Sequence, residues 1–238
     1  PAKKVTVYVT ISNDGVPIRG RDGTVLCHKA ITVPYFDLGR YNLSEYYRYH
    51  TENGEGKYID ENIVERPTGL HLYLYLLERY FIGLPEEQCC KGAYPRDALA
   101  SFKLGEDVCY MDETPAYTAD SFAALTITGS PTSLYMANFW GHDENLMYYR
   151  NHCFPYMSPG WGSTSDYIVL SDGDTWDVAM FTNWSFWSSG GAFTCFDKDA
   201  YNARPGMEMT ISSQAYGTTF EGSDFYPFSN LDVFLYND

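Results

Sequence analysis

A chain of 238 residues is long enough to bury a substantial core, and its formal charge of -15 with a pI near 4.6 opposes the phosphate neutralisation on which nucleic-acid binding rests. The same charge repels anionic lipid and acidic polysaccharide, so a neutral ligand fits best. Aromatic residues make up 17% of the chain, with 22 tyrosines, which exceeds what a core requires and suits a wet binding face.

No run of 18 or more apolar residues occurs, so membrane insertion is not expected. The start, PAKKVTVYV, has no apolar signal core and enters a strand pattern abruptly, as expected of a segment excised from a longer precursor. Six cysteines (Cys27, Cys89, Cys90, Cys109, Cys153, Cys195) form neither a dense disulfide framework nor a CxxC metal site. Buried thiols are the favoured reading, with a bridge from Cys89 or Cys90 to Cys109 as the alternative.

Val5, Val7, Val9 and Ile11 alternate with Thr6, Tyr8, Thr10 and Ser12, which predicts a half-buried strand. NDGVPIRGRDG reads as a turn, TVLCHKAITVPYF as a second strand ending at Pro34, and LSEYYRYH as a short helix capped by Ser44. PTGLHLYLYLLERYFIGLP predicts the strongest helix: Thr68 caps it, Leu70, Tyr73, Leu74, Leu77 and Phe81 share a face, and Gly83 and Pro85 stop it. Residues 85–119 form an irregular insert or second lobe, with PEEQCC and PRDALASF as candidate short helices.

The β pattern resumes with ALTITG and continues through LMYYRNH, DYIVL, TWDVAMF, AFTCF, MEMTISS and LDVFLYN, with LSDGDTW read as a hairpin turn. A single domain spanning 1–238 is expected, mainly β: a β-sandwich carrying one amphipathic helix and an irregular, partly helical insert.

The capped helix PTGLHLYLYLL, the strand LMYYRNH and the segment YIVLSDGDTWDVAMF together resemble the transcobalamin C-terminal-like module, although Met147 stands where that pattern commonly has Trp and His152 replaces its Gly. With TNWSFW, ANFWGHDENLMYYRNH and SPGWGSTSDY, the chain is similar to such modules on secreted proteins of gut Firmicutes, most of all a starch-binding domain of the amylosome starch adherence system. The resemblance implies a non-catalytic, extracellular module on the bacterial cell surface, part of a larger multidomain protein, that grips α1,4-linked glucan. The transcobalamin name also implies an alternative, a cobalamin-type small-molecule binder.

All five tryptophans fall between Leu134 and Ala192, and Trp184 and Trp187 stand among Asn, Ser and Gly, which is loop composition. An indole left on such a loop offers an apolar shelf to the C–H face of a pyranose, while Asn, Asp and Tyr at its rim bond the hydroxyls. Trp184, Trp187, Trp161 and Trp140 are therefore the candidate platforms for a neutral polysaccharide such as starch, and Tyr148, Tyr149, Asn183 and Asp143 the polar candidates. Trp176 alternates with Val178 and Met180 and reads instead as core. The carboxylate pairs in MDET and HDEN raise a glycoside hydrolase as a further alternative, but no hydrolase motif accompanies them. Asp172 and Asp174 lack the rest of a calcium loop, and His142 and His152 lack zinc spacing, so no cofactor is expected.

Overall fold

The computed structural model describes residues 3–37, 66–91, 102–104, 109–111, 125–130, 133–140, 142–143, 146–153, 156–158, 161–162, 168–181, 192–219, 222–227 and 232–233. At 102–104, 109–111, 125–130, 133–138, 142–143, 156–158, 161–162, 216–219 and 222–224 it describes the backbone alone.

The fold is mainly β and is organised around β1 (Lys4–Asn13), where Val7, Val9 and Ile11 are fully buried and the intervening residues face the other way. Each such burial contributes roughly 1.5–3 kcal/mol. An Asp14-Gly15 turn, with both residues at positive φ, leads to the two-residue strand β2 (Val16–Pro17), and β3 (Lys29–Pro34) then lies antiparallel along the first half of β1. The expected second strand is broken where His28 adopts φ +48° beside Cys27.

Helix α1 (Gly69–Leu76) begins where expected, with Thr68 as N-cap. The expected amphipathic face is replaced by burial all round: every residue from Gly69 to Leu76 is buried, as suits a charge-free run. Leu77–Ile82 then widens into a π-helical turn. Adding residues to each turn rotates the face, so Glu78 and Tyr80 become buried while Phe81 comes to the rim of the core. Gly83, at φ +88°, ends the helix in the left-handed conformation that glycine adopts without steric cost.

The main sheet is completed by β9 (Leu146–Arg150) and β12 (Thr175–Met180) in the order β2-β1-β12-β9, with β3 also on β1. Because β12 runs parallel to β1, the expected LSDGDTW hairpin is not formed. Residues 168–170 instead lie antiparallel to the start of α1: Gly69 N–H donates to Ile168 O and Leu170 N–H to Pro67 O. Ser171–Asp174 caps β1, through Thr6 N–H on Asp172 Oδ1 at 2.7 Å and Gly173 N–H on Thr6 O at 2.9 Å.

Register puts Val9 beside Trp176, Ile11 beside Val178, and Val178 beside Tyr148. This face, with α1, forms the main core, and Trp176 is its largest fully buried side chain, as its alternation predicts. On the opposite face Tyr149 joins Phe181 and Phe193 in a second cluster. Phe193 belongs to β13 (Phe193–Phe196), which pairs with β14 (Ser213–Thr219) and through it with β15 (Gly222–Pro227).

The insert holds a short helical turn at Glu86–Gln88 and a small hairpin, β4 (Phe102–Leu104) with β5 (Cys109–Met111); of the expected helix PRDALASF only Phe102 is described, in β4. Further hairpins are formed by β6 (Leu125–Ser130), β7 (Ser133–Phe139) and β8 (His142–Asp143), and by β10 (Tyr156–Ser158) with β11 (Trp161–Gly162). The expected strand MEMTISS pairs only from Ser213, because β13 ends at the Phe196–Ser213 pair. The expected helix LSEYYRYH lies outside the described residues, and of LDVFLYN only Asp232 and Val233 are described. Among the described residues no helix is long and apolar enough to cross a membrane.

Candidate functional site

Of the hairpin tips two residues long, three have a described occupant, and those occupants differ. Type I′ turns of this length place both central residues at positive φ and favour Asn-Gly or Asp-Gly, and type II′ turns place the first there and favour Gly. Asp14-Gly15 follows that rule. Between β7 and β8 the ladder closes at Phe139–His142, which makes Trp140 and Gly141 the connection, and Trp140 sits at φ +59°. After β9, Arg150 and Cys153 exchange both backbone hydrogen bonds across Asn151 (φ +52°) and His152 (φ +59°). A bulky L-residue in this conformation costs about 1–2 kcal/mol, so something must hold Trp140 and His152 there.

Trp140 is held by aromatic rings. Its indole meets Phe81 edge-on, with centroids 5.2 Å apart at 73°, and Phe139 at 5.7 Å, yet it remains partly exposed. Phe139 is fully buried and leads to Tyr73 at 5.1 Å. Tyr73 meets Trp176 at 5.7 Å and Tyr148 at 6.3 Å, and Tyr148 lies parallel to Trp176 at 5.9 Å and 7°. The result is a continuous aromatic band with a buried middle and accessible ends at Phe81, Trp140 and Tyr148. Trp176 Nε1 is buried beneath it without a hydrogen-bond partner among the described residues.

His152 is held by charge. Nδ1 lies 2.6 Å from Asp177 Oδ2 and Nε2 lies 2.7 Å from Asp199 Oδ1, so a ring with both nitrogens protonated donates to two carboxylates. Burial alone would lower its pKa, but the bonds to and charges of Asp177 and Asp199 prevail and raise it to about 9. Nearby, Asp174 accepts from Arg150 Nε at 2.9 Å, Asn151 Nδ2 at 3.1 Å and Ser171 N–H at 2.8 Å, which commits this carboxylate to the turn. Asp172 is committed likewise through Thr6. Among the described residues no group of three or more His, Cys, Asp or Glu is arranged to hold a metal ion.

The eight residues singled out from sequence are therefore distributed unevenly. Trp140 and Tyr148 belong to the aromatic band. Tyr149 is corrected: it is fully buried on the opposite face, packed on Phe193 at 5.1 Å, and has no surface for a ligand. Trp161 lies in β11, paired with Ser158 across a tight turn and not in an open loop, and Asp143 lies in β8 opposite Asn138, but neither side chain is described. Trp184, Trp187 and Asn183 lie outside the described residues, as do the side chains of the MDET and HDEN carboxylates. Phe81 and the Asp177–His152–Asp199 clasp were not singled out from sequence. The signal for the clasp was available in His152, which occupies a turn position that favours glycine.

Cys89 is a buried free thiol and Cys153 and Cys195 are part-buried ones. Burial first, then the Glu78 charge, pushes Cys89 up to about 12. Comparison with protein-family models, with curated proteins and with solved structures gives no match for this chain.

Proposed function

We propose that this protein is a non-catalytic module that binds a neutral glucan of the α1,4-linked, starch type on its exposed aromatic rings. The observation that carries the reading is Trp140, a large indole kept partly exposed at a hairpin tip in a backbone conformation that Asn or Gly would adopt more cheaply. Packing on Phe81 and Phe139 accounts for the covered part of the indole, and the part left accessible is a shelf that the C–H face of a pyranose would cover. Tyr148 and Phe81 extend the same band, and Trp161, Trp184, Trp187, Asn183 and Asp143 are the proposed further contacts. In this reading the β13–β15 sheet, resting on Tyr149 through Phe193, makes the second layer of a sandwich. The module belongs to a larger protein on an outer bacterial surface, where repeated weak contacts along a polymer add up through avidity.

The test is electrophoresis in native gels with and without amylopectin, with reducing ends assayed in parallel. The wild type is expected to be retarded by amylopectin and to release no sugar. Trp140→Asn suits the turn, so its mobility in the plain gel and its folding stability should stay within about 1 kcal/mol of wild type, the packing loss and the strain relief nearly offsetting each other. Its retardation should be lost. A wild type that migrates equally in both gels overturns the glucan reading, and release of reducing ends makes the protein an enzyme.

A further inference from the structure

We infer that Phe81 is a positioning residue for Trp140, holding the exposed indole in a fixed plane without itself lying under the sugar. The inference rests on the glucan reading above, and the angle between the rings carries it. Phe81 stands at 73° to the Trp140 indole with centroids 5.2 Å apart, and Phe139 at 60° with centroids 5.7 Å apart. A pyranose covers a ring by lying parallel to it, so a sugar seated flat on the indole meets no second flat face at Phe81. The shelf and the wall that steadies it are different residues.

The structure around Phe81 is built to hold that wall still. Leu77–Ile82 widens into a π-helical turn, a rare form that recurs at functional sites, and this turn brings Phe81, part-buried, to the rim beside Trp140. The turn is fastened at neighbouring residues. Tyr80 O accepts from Arg21 N–H at 2.8 Å, Arg79 pairs with Asp22 at 3.1 Å, and Leu84 N–H donates to Glu78 O at 2.8 Å. Gly20 lies so close that a Cβ there would sit 3.1 Å from Tyr80 Cβ. Trp140, by contrast, stands partly exposed at a hairpin tip, so its ring depends on side-chain packing for its orientation. A ligand that had to immobilise a free indole would lose side-chain entropy on binding, and packing it beforehand is worth roughly twofold to tenfold in affinity.

Nitrogen-15 relaxation of the indole N–H groups, read beside amylopectin retardation, tests this. The chain has five tryptophans, and the indole signal missing from Trp140→Asn belongs to Trp140. Its order parameter should be high in the wild type and fall in Phe81→Leu, with the apparent dissociation constant for amylopectin rising roughly twofold to tenfold. Phe81→Tyr keeps the ring and should restore both. The four other indole signals and the plain-gel mobility report whether the fold is kept. Where Phe81→Leu disturbs them, the more adaptable Phe81→Met takes its place. An order parameter unchanged without the Phe81 ring overturns the inference, and weaker retardation alongside it would make Phe81 a direct sugar contact. A mobile indole with undiminished retardation overturns it too, as does failure of Phe81→Tyr to restore both readouts. A wild type that amylopectin does not retard removes the glucan reading alone, and the order parameter still decides whether Phe81 holds the indole.

Discussion

His152 shows how one residue can be both locally unfavourable and globally useful. Its left-handed backbone costs free energy, and its imidazole recovers it by holding Asp177 on β12 and Asp199 beyond β13. An unfolded imidazole gives up its proton at about 6.5, whereas this one holds it to about 9. The clasp therefore contributes fully below pH 6.5, and its contribution is withdrawn as pH climbs through 9. Thermal melts at pH 6.5, 8 and 9.5 should fall for the wild type by roughly 2–4 °C across the series, the shift that about 1 kcal/mol produces in a chain of this size. His152→Gly suits the turn and lacks this titration, so its melting temperature should fall less over the same range, the remaining fall coming from buried thiols such as Cys89 that the fold holds protonated. Parallel slopes for the two proteins would remove the clasp as the source of the pH dependence.

At the level of elements, the start of α1 illustrates what a pattern reveals and what it conceals. Thr68 was legible as a cap, but its partner three residues on is His71, not the usual Glu or Gln. His71 Nδ1 accepts from Thr68 N–H at 3.1 Å and lies 2.9 Å from Thr68 Oγ1, which leaves the proton on Nε2 to donate to Phe36 O at 3.0 Å. Burial pushes the ring down to about 3, against the Phe36 carbonyl bond, so it is neutral in the fold. The unfolded ring binds a proton below about 6.5, so stability should fall by up to about 1.4 kcal/mol per pH unit below that. His71→Gln keeps a neutral acceptor for Thr68 N–H, and urea titrations from pH 6.5 to 5 should show a shallower loss for it than for the wild type. An unchanged slope would place the acid sensitivity elsewhere.

The strands around β1 were legible for the same local reason as the cap: period-two alternation is a property of neighbours in sequence. The parallel pairing of β1 with β12, the burial of α1 on every side and the π-helical turn that brings Phe81 to the rim were not, because each depends on what packs against the element. Trp140 and Tyr148 could be singled out by composition, but so could Tyr149, since adjacent tyrosines in a strand look alike until one face is covered by β13.

At the scale of the whole molecule, charge sets how the proposed binding answers to salt. The chain carries -15, and the proposed ligand carries none. Contact between rings and a neutral sugar involves no field to screen and no counterions to release, so added salt has little to act on. Amylopectin retardation, read as an apparent dissociation constant, should thus change less than about twofold on raising salt from roughly 0.05 to 0.5 M. Affinity that fell steeply with salt would instead reveal a charged ligand, and the neutral-sugar reading of Trp140 would have to give way.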